Sequence, residues 1–384
     1  MIKTYTQFSL LLEAQQSLKL NVPRDVTDLH KLFKRKGRKL FVVGGAVRDA
    51  MLGIKPKDWD LATDAKPDEI IEILKSGGIP TIGEVGQQFG VVIAKTPGFK
   101  EGMEIATFRK DIGKGRRPEA VEFTTIEKDV LRRDLTINAL FWDIEKQEVV
   151  DLVGGIADIQ SGSIKAVGRA EERFADDPLR KLRVFRFAGK TGGKIEGNTA
   201  DALMADNSLE GISAPRIRDE FKKSITSAKS PKGYLQMLER FGMWPVMFPD
   251  IGINKKWLNS KQWLIQIASL FGGNADDVIE SRLKAMAFSN DEIDAVLFLN
   301  ELGTLRPENV FELSKKRDRV KLDDRIMVEW AKLNRLDQKA VKAFVKYKPS
   351  TNGGDVIKQF GLKGSAIADK IKEIEAEKFA KLLR

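Results

Sequence analysis

The chain has 384 residues, enough for two or more domains that each bury a sizeable core. Zero cysteines and a single histidine exclude disulfides, thiolate chemistry, zinc–thiolate sites and a histidine-rich metal phosphohydrolase domain. The net charge of +11 suits a polyanionic partner, and no run of about 18 apolar residues predicts a membrane span.

Two helices are predicted before the first strand. Residues 1–36 have a helical pattern that Pro23 interrupts, and the second helix is expected at 25–33. The apolar patch at 8–12 is too short for a signal-peptide core, so a cytoplasmic protein is expected. His30 lies in the second helix, where a surface or partly buried position is a better interpretation than catalysis.

Strands cluster early in the chain and helices cluster late. Residues 40–150 have a strand-and-loop texture, with one helix predicted at 67–75 and a strand at 103–108. The last strand is expected at 164–167, and from about residue 170 the pattern is helical. This distribution predicts an α+β region followed by an all-α region.

The first predicted strand leads into a pair of glycines. Leu40–Val43 is a short apolar run that predicts a buried strand, and Gly44 and Gly45 follow it directly. Glycines at such a turn let backbone N–H groups approach a phosphate, and Arg48 adds a positively charged fork nearby. Two adjacent glycines alone are usually a plain turn.

Two aspartates follow at a spacing that suits a metal ion. Asp58 and Asp60 are two residues apart, which on a strand places both carboxylates on one face. Like charges held together need a cation, and hard oxygen ligands suit Mg²⁺. Glu104 is either a third carboxylate facing this pair or an exposed strand residue. A lone pair of aspartates is more often a solvated strand end, but the glycine turn beside it gives the layout of a nucleotidyltransferase.

The segment 41–63 resembles the first motif of the tRNA nucleotidyltransferase and bacterial poly(A) polymerase family, the class II branch of the polymerase-β superfamily. The resemblance implies that Asp58 and Asp60 hold two Mg²⁺ ions. One ion would activate the terminal ribose hydroxyl of the RNA and the other would steady pyrophosphate. The triphosphate would be held by Gly44, Gly45 and Arg48.

A second motif lies at residues 129–140, which read DVLRRDLTINAL. Alone it could be a salt-bridged helix start, but in order it resembles the family's Arg-Arg-Asp-Phe-Thr-Ile-Asn-Ala motif, with leucine in place of phenylalanine. The resemblance implies that Arg132 or Arg133 contacts the nucleotide and that Asp134 either supports the metal site or orients an arginine. A family pattern that reads much like Glu-x-x-Thr-Phe-Arg also matches from Glu104, which favours a metal-site role for that residue.

The helix predicted to begin at Asp177 carries charges at every third residue. Asp177, Arg180 and Arg183 would project along one face, where they could be only a salt-bridged surface stripe. An aspartate can accept from the exocyclic amine of C or A, and an arginine can donate to the adjacent ring nitrogen; U and G lack that edge. The family's Glu-Asp-x-x-Arg motif matches here, with aspartate replacing glutamate, and assigns base reading to Asp177 and Arg180. Arg183 and Arg186 match further nucleotide-contacting arginines.

Three other segments match the family less closely. Residues 111–119 predict a mobile basic loop, of which only 115–118 matches the Gly-Arg-Arg-Pro of the CCA-adding enzymes. Residues 212–220 resemble a structural family motif with Pro215 in place of glutamate. Residues 355–367 place glycines before a helix, where family tails grip the tRNA elbow and a plain interhelical turn is the other interpretation.

These observations predict an α+β fold: a polymerase-β-like nucleotidyltransferase head, with a mixed β-sheet and helices, followed by an all-α neck, body and tail. The expected domains are a helical N-terminal extension (1–36), the head (37–168), a neck with the base-reading helix (169–225), a body (226–300) and a tRNA-binding tail (301–384).

The expected activity is template-independent addition of CCA to tRNA 3′ ends from CTP and ATP, with Mg²⁺ as cofactor. The expected partner is tRNA, with no DNA and no membrane. A poly(A) polymerase with the same head is the close alternative, and CC-only or A-only addition also stays open. An inactive RNA-binding protein is the alternative of a different class, which the intact Asp58 and Asp60 disfavour.

Overall fold

The computed structural model describes residues 20–82, 89–113, 120–257 and 260–384. These residues form two compact units. The first runs to Ile212 and includes Ser227–Met243, and the second consists of Ser213–Thr226 and Trp244–Arg384. The helix expected before residue 20 and the basic loop at 115–118 lie outside the described residues.

A six-stranded mixed sheet forms the centre of the first unit. Its strands in chain order are β1 (Leu40–Val43), β2 (Asp60–Thr63), β3 (Val91–Thr96), β4 (Phe99–Thr107), β7 (Phe141–Asp143) and β8 (Glu148–Val150). Across the sheet the order is β3-β4-β2-β1-β7-β8, and only β2 and β4 run parallel. Two further pairs are an antiparallel hairpin of β5 (Arg109–Ile112) with β6 (Ala120–Phe123) and a parallel pair of β9 (Ser163–Ile164) with β10 (Lys194–Ile195).

Helices surround this sheet and continue beyond it. They are α1 (Arg24–Arg35), α2 (Gly45–Met51), α3 (Pro67–Ser76), α4 (Ile126–Asp129), α5 (Gly155–Ser161), α6 (Ala170–Asp176), α7 (Leu179–Thr191), α8 (Gly197–Ala205), α9 (Ala214–Ser227), of which residues 214–226 belong to the second unit, and α10 (Pro231–Arg240). The predictions of a helix at 67–75 and a strand at 103–108 are confirmed by α3 and β4. His30 is partly buried on α1 as predicted, and burial lowers its pKa.

Two apolar clusters cover the two faces of the sheet. Leu40 and Val42 of β1 belong to the cluster that includes the buried side chains of α1. The alternate residues Phe41 and Val43 belong to the other cluster, where Phe41 lies 5.9 Å from Phe108 between ring centroids. Because β1 is central and buried on both faces, its sequence is a continuous apolar run.

In the second unit, the described residues form helices joined by non-helical segments, with no β-strand among them. Besides most of α9 it contains α11 (Met243–Met247), which begins one residue before the unit's boundary, and then α12 (Trp263–Phe271), α13 (Asp276–Ala285), α14 (Asn290–Leu302), α15 (Val310–Arg319), α16 (Asp324–Leu333), α17 (Gln338–Lys346), α18 (Gly353–Phe360) and α19 (Ser365–Leu383). Pro215 lies in the first turn of α9, where proline is tolerated. The α+β to all-α order predicted from the sequence is confirmed.

A buried carboxylate holds the last helix against the segment before α18. Glu375 of α19 has no solvent exposure and accepts the hydroxyl of Tyr347 at 2.5 Å, the N–H and hydroxyl of Thr351, and the ammonium of Lys378 at 2.9 Å. Burial alone would raise the pKa of Glu375, but these hydrogen bonds outweigh it and lower the pKa to about 2. Residues 347–352 are non-helical, and this carboxylate holds them against α19.

Candidate functional site

The glycine turn joins β1 to α2. Gly44 has a φ of 72°, a left-handed conformation that residues with a side chain rarely adopt. Its N–H donates to the carbonyl of Leu140 at 3.0 Å, which ties the turn to the end of the second sequence motif. The turn predicted between a buried strand and the residues after it is therefore present, and glycine is required at its first position.

The paired aspartates lie where β2 begins. Asp58 and Asp60 are exposed and flank the buried Trp59, so the two carboxylates lie on the same side of the strand. The parallel register of β2 with β4 pairs Leu61 with Ile105, which brings Glu104 beside Asp60. Partial burial raises the pKa of Asp60, and the charges of Glu104 and Asp58 act in the same direction.

These carboxylates form an open set of oxygen donors. Within the described ranges, no three His, Cys, Asp or Glu side chains converge into a preformed metal cluster. Mg²⁺ often binds one or two protein carboxylates and completes its coordination with water and substrate phosphates. The electrostatic repulsion at Asp60 is what a divalent cation would relieve, so the donor set fits such an ion.

Asp129 gathers the two arginines of the second motif. Its buried carboxylate accepts Nε of Arg132 at 2.9 Å, Nη2 of Arg133 at 2.8 Å and the backbone N–H of Arg109 at 3.1 Å. Burial would raise the pKa of Asp129, but the charges of both arginines lower it. Arg133 also stacks over the ring of Phe141 at 4.7 Å and opposes the charge at the paired aspartates.

Asp134 holds an arginine of α7 in place. Nε of Arg183 donates to its carboxylate at 2.6 Å, and the side-chain amide of Asn138 donates at 3.3 Å. Burial would raise the pKa of Asp134, but the charge and hydrogen bond of Arg183 lower it to about 2. This contact matches one of the two roles expected for Asp134, the orientation of an arginine.

Arg48 points inward and is only 4% exposed. Its Nε and Nη2 donate to Asp49 Oδ1 at 2.9 and 2.6 Å, and its Nη1 donates to the side-chain oxygen of Asn138. Asp49 in turn accepts Nζ of Lys190, on α7, at 3.3 Å. A continuous polar network therefore links the glycine turn to α7. These bonds use three of the five N–H groups that a guanidinium offers.

The base-reading pair differs from its expected geometry. Asp177 does not lie on a helix with Arg180; it is in the extended link before Pro178, because a residue preceding proline favours that conformation. Its Oδ1 accepts the N–H of Leu179 at 3.2 Å. Arg180 is on α7, and its Nη2 donates to the carbonyl of Arg132 at 2.7 Å. Both side chains are largely buried, unlike a surface stripe.

Three guanidinium groups surround the ring of Phe187, which is 3% exposed. The guanidinium carbons of Arg186, Arg48 and Arg183 lie 4.2, 4.7 and 5.6 Å from the ring centroid. All the residues that the sequence predicts for the site belong to the first unit. The residues that hold them were not among those predictions and are Asp49, Asp129, Asn138, Phe187 and Lys190.

Family models match two segments of the chain. Residues 40–165 match the poly A polymerase head domain, and residues 194–253 match the probable RNA and SrmB-binding site of polymerase A. The first segment contains the sheet, the glycine turn and the paired aspartates.

Relatives of known function match over different lengths. A CCA-adding enzyme of Streptococcus pyogenes serotype M2 is 34% identical over 357 residues, which is 86% of each chain. The mitochondrial CCA tRNA nucleotidyltransferase 1 of Mus musculus is 39% identical over 204 residues, 52% of this chain and 46% of that enzyme. In the mouse enzyme, as in a Ligilactobacillus salivarius CCA-adding enzyme of which 49% is covered, the match spans about half of the relative.

Solved structures show the same fold. The Bacillus stearothermophilus CCA-adding enzyme in complex with CTP has a TM-score of 0.70 at 24% identity, covering 93% of this chain and 95% of the other. The Thermotoga maritima CCA-adding enzyme complexed with tRNA has a TM-score of 0.66 at 20% identity, covering 97% of each chain. Among the described residues, no helix combines the length and apolarity needed to cross a membrane.

Proposed function

The chain belongs to the family of CCA-adding tRNA nucleotidyltransferases and poly(A) polymerases, and on this premise we propose that it adds CCA to tRNA 3′ ends from CTP and ATP without a nucleic-acid template. One observation carries the proposal. The exposed Asp58 and Asp60, with Glu104 beside them, lie in the same compact unit as a network of arginines on the glycine turn, the second motif and α7.

The carboxylates would hold the metal. Asp58 and Asp60 provide hard oxygen ligands for Mg²⁺, and Glu104 adds negative charge at the same place. When bound, the metal would lower the pKa of the terminal ribose hydroxyl and stabilise the leaving pyrophosphate. Two ions, as in other two-metal phosphoryl transfer sites, are part of the proposal.

The basic groups would bind the nucleoside triphosphate. The glycine turn would bring the backbone of Gly44 and Gly45 close to the phosphates, and Arg48 would add positive charge behind it. Further phosphate and sugar contacts would come from one or both arginines held by Asp129, from Asp134, and from the arginines around Phe187. These residues are Arg132, Arg133, Asp134, Arg183 and Arg186.

Base selection would depend on Asp177 and Arg180. A carboxylate acceptor and a guanidinium donor complement the amine and ring nitrogen that C and A share. Both groups are largely withdrawn from water, which makes a mismatched base costly because a buried partner would stay unpaired.

The helical part of the chain would hold the tRNA. We assign residues 37–168 to the head, 169–225 to the neck, 226–300 to the body and 301–384 to a tRNA-binding tail, with 1–36 as an extension. The net charge of +11 suits a polyanion, and we place the reaction in the cytoplasm, as a cysteine-free sequence permits.

The test is incorporation of single labelled nucleotides. Purified protein with Mg²⁺ is incubated with tRNA ending before CCA, after C or after CC, and with each of the four nucleoside triphosphates separately. We expect CTP to extend the first two substrates and ATP to extend only the third, by one residue. Long adenosine tails would identify a poly(A) polymerase, and a single type of addition would identify a CC- or A-adding enzyme. Binding of tRNA without incorporation would identify an RNA-binding protein.

A further inference from the structure

The ring of Phe187 contacts arginines from two separate elements. Arg48 comes from α2, after the glycine turn, whereas Arg183 and Arg186 come from α7. Guanidinium groups within about 6 Å of an aromatic centroid are attracted to the ring's negative face. One buried ring therefore helps to set the direction of three cations.

Each of two cations also has a carboxylate that completes its orientation. Arg48 is bonded to Asp49, and Arg183 is bonded to Asp134. Arg48 is also bonded to Asn138 through Nη1, and the ring of Phe187 adds to both guanidinium groups a contact that these hydrogen bonds do not supply. Removing the ring would leave every carboxylate bond in place while freeing the planes to tilt.

We propose that Phe187 is a positioning residue for nucleotide binding, which orients Arg183 and Arg186 toward the incoming triphosphate and sugar and holds Arg48 behind the glycine turn. The inference rests on the proposed function and deepens it. A merely structural role would make Phe187 one more apolar side chain of the core, equivalent to its neighbour Phe185.

Phe185 provides a matched control on the same helix. It is fully buried, but its ring packs edge-on against Phe241 at 5.4 Å between centroids. Phe187→Leu and Phe185→Leu remove the same number of atoms from the same helix, so their packing losses should be similar. Only Phe187→Leu removes a ring that contacts arginines.

The experiment measures kcat and KM for CTP and ATP on the matching tRNA substrates, together with the midpoint of thermal unfolding. We expect Phe187→Leu to raise KM for both nucleotides about tenfold, with a smaller change in kcat. Phe185→Leu should lower the unfolding midpoint to a similar degree and leave KM unchanged. Phe187→Tyr, which keeps the ring face, should restore KM close to that of the wild type.

Equal KM values for the two leucine variants, or no rescue by tyrosine, would overturn the proposal. If Phe187→Leu does not fold, Phe187→Met takes its place with the same expected rise in KM; failure of both to fold would show a structural role and also overturn it. Failure of the proposed function is a distinct result, because the wild-type protein would then incorporate no nucleotide at all.

Discussion

Two carboxylates, one in each unit, have pKa values that are shifted in opposite directions. Glu375 in the second unit is surrounded by donors, and its pKa is lowered to about 2. Asp60 in the first unit lies beside Asp58 and Glu104, and partial desolvation together with their charges raises its pKa. The fold satisfies the first carboxylate completely and leaves the second with like charges as neighbours. Such a pattern separates a group that stabilises the fold from one whose charge a bound cation would balance.

The largest expected effect is on Asp60. Asp60→Asn keeps the size of the side chain and removes one charge from the pair of carboxylates that is proposed to bind the metal. We expect nucleotide transfer to fall by at least about a thousandfold, because the cation loses a ligand, while tRNA binding persists. Stability should stay equal or rise, since a like-charge repulsion is removed. Single-turnover transfer, filter binding and thermal unfolding measure the three quantities.

Glu101→Gln is the matched control for Asp60. Glu101 is an exposed carboxylate on β4, three residues from Glu104, and should be replaceable with little change in transfer. Transfer at near wild-type rates by Asp60→Asn in Mg²⁺ would show that the pair is not the metal site.

The next effect is on stability. Glu375→Gln replaces the acceptor of five donors by a group with one acceptor oxygen, and we expect it to cost about 2–4 kcal/mol of unfolding free energy. Glu373→Gln, on the same helix, breaks only the exposed pair with Lys370 and should cost less than about 0.5 kcal/mol. Urea unfolding at neutral pH compares the stabilities of the two variants. Similar losses for both would contradict the conclusion that the buried hydrogen bonds of Glu375 stabilise the fold.

The comparison of the wild type with Glu375→Gln also predicts a pH dependence of stability with a definite sign. Since folding lowers the pKa of Glu375 from 4.5 to about 2, its stabilising contribution is complete above pH 4.5 and is lost as the pH falls toward 2. The stability gap between the wild type and Glu375→Gln should therefore narrow across this window. A gap that stays constant from neutral pH down to pH 2 would contradict the assignment.

The next prediction concerns Asp177, a largely buried carboxylate that accepts the backbone N–H of Leu179 and is proposed to read a base. Asp177→Ala should reduce the ratio of kcat/KM for CTP over UTP by about tenfold to a hundredfold, the cost of a lost buried partner of about 1–3 kcal/mol. Asp201→Ala, an exposed aspartate on α8, should leave the ratio unchanged. An unchanged ratio for Asp177→Ala would leave Arg183 or Arg186 as the candidates for base selection.

The site residues that could be predicted from the sequence are those that belong to a recognisable local pattern. Leu40–Val43 is an apolar run and Asp58 and Asp60 alternate around a buried tryptophan, so strand, turn and carboxylate pair followed from spacing. The strand β10 was missed because two residues have no measurable period. Asp129 could have been found, since it precedes Arg132 and Arg133 by three and four residues, the spacing of helical ion pairs.

The remaining site residues depend on tertiary contacts. Asn138 is 90 residues from Arg48, and Lys190 is 141 residues from Asp49, so no local pattern indicates that these groups meet. Phe187 lies on a helix with several other apolar residues, and only the folded structure shows guanidinium groups around its ring. Burial was predictable at such positions, whereas the identity of the neighbours was not.

The helix α7 has a consequence for how errors could arise. From Arg180 to Lys190 this helix spans about 15 Å. Arg180, which is proposed to read the base, lies at one end, and Lys190, which links the helix to the glycine turn through Asp49, lies at the other. Under the proposed function, the misincorporation rate would depend on how firmly α7 is held in place. A slight rotation of α7 would move the base-reading and the phosphate-binding groups together. Variants that loosen α7 should therefore lower the accuracy of base selection and the affinity for the nucleotide in a fixed proportion.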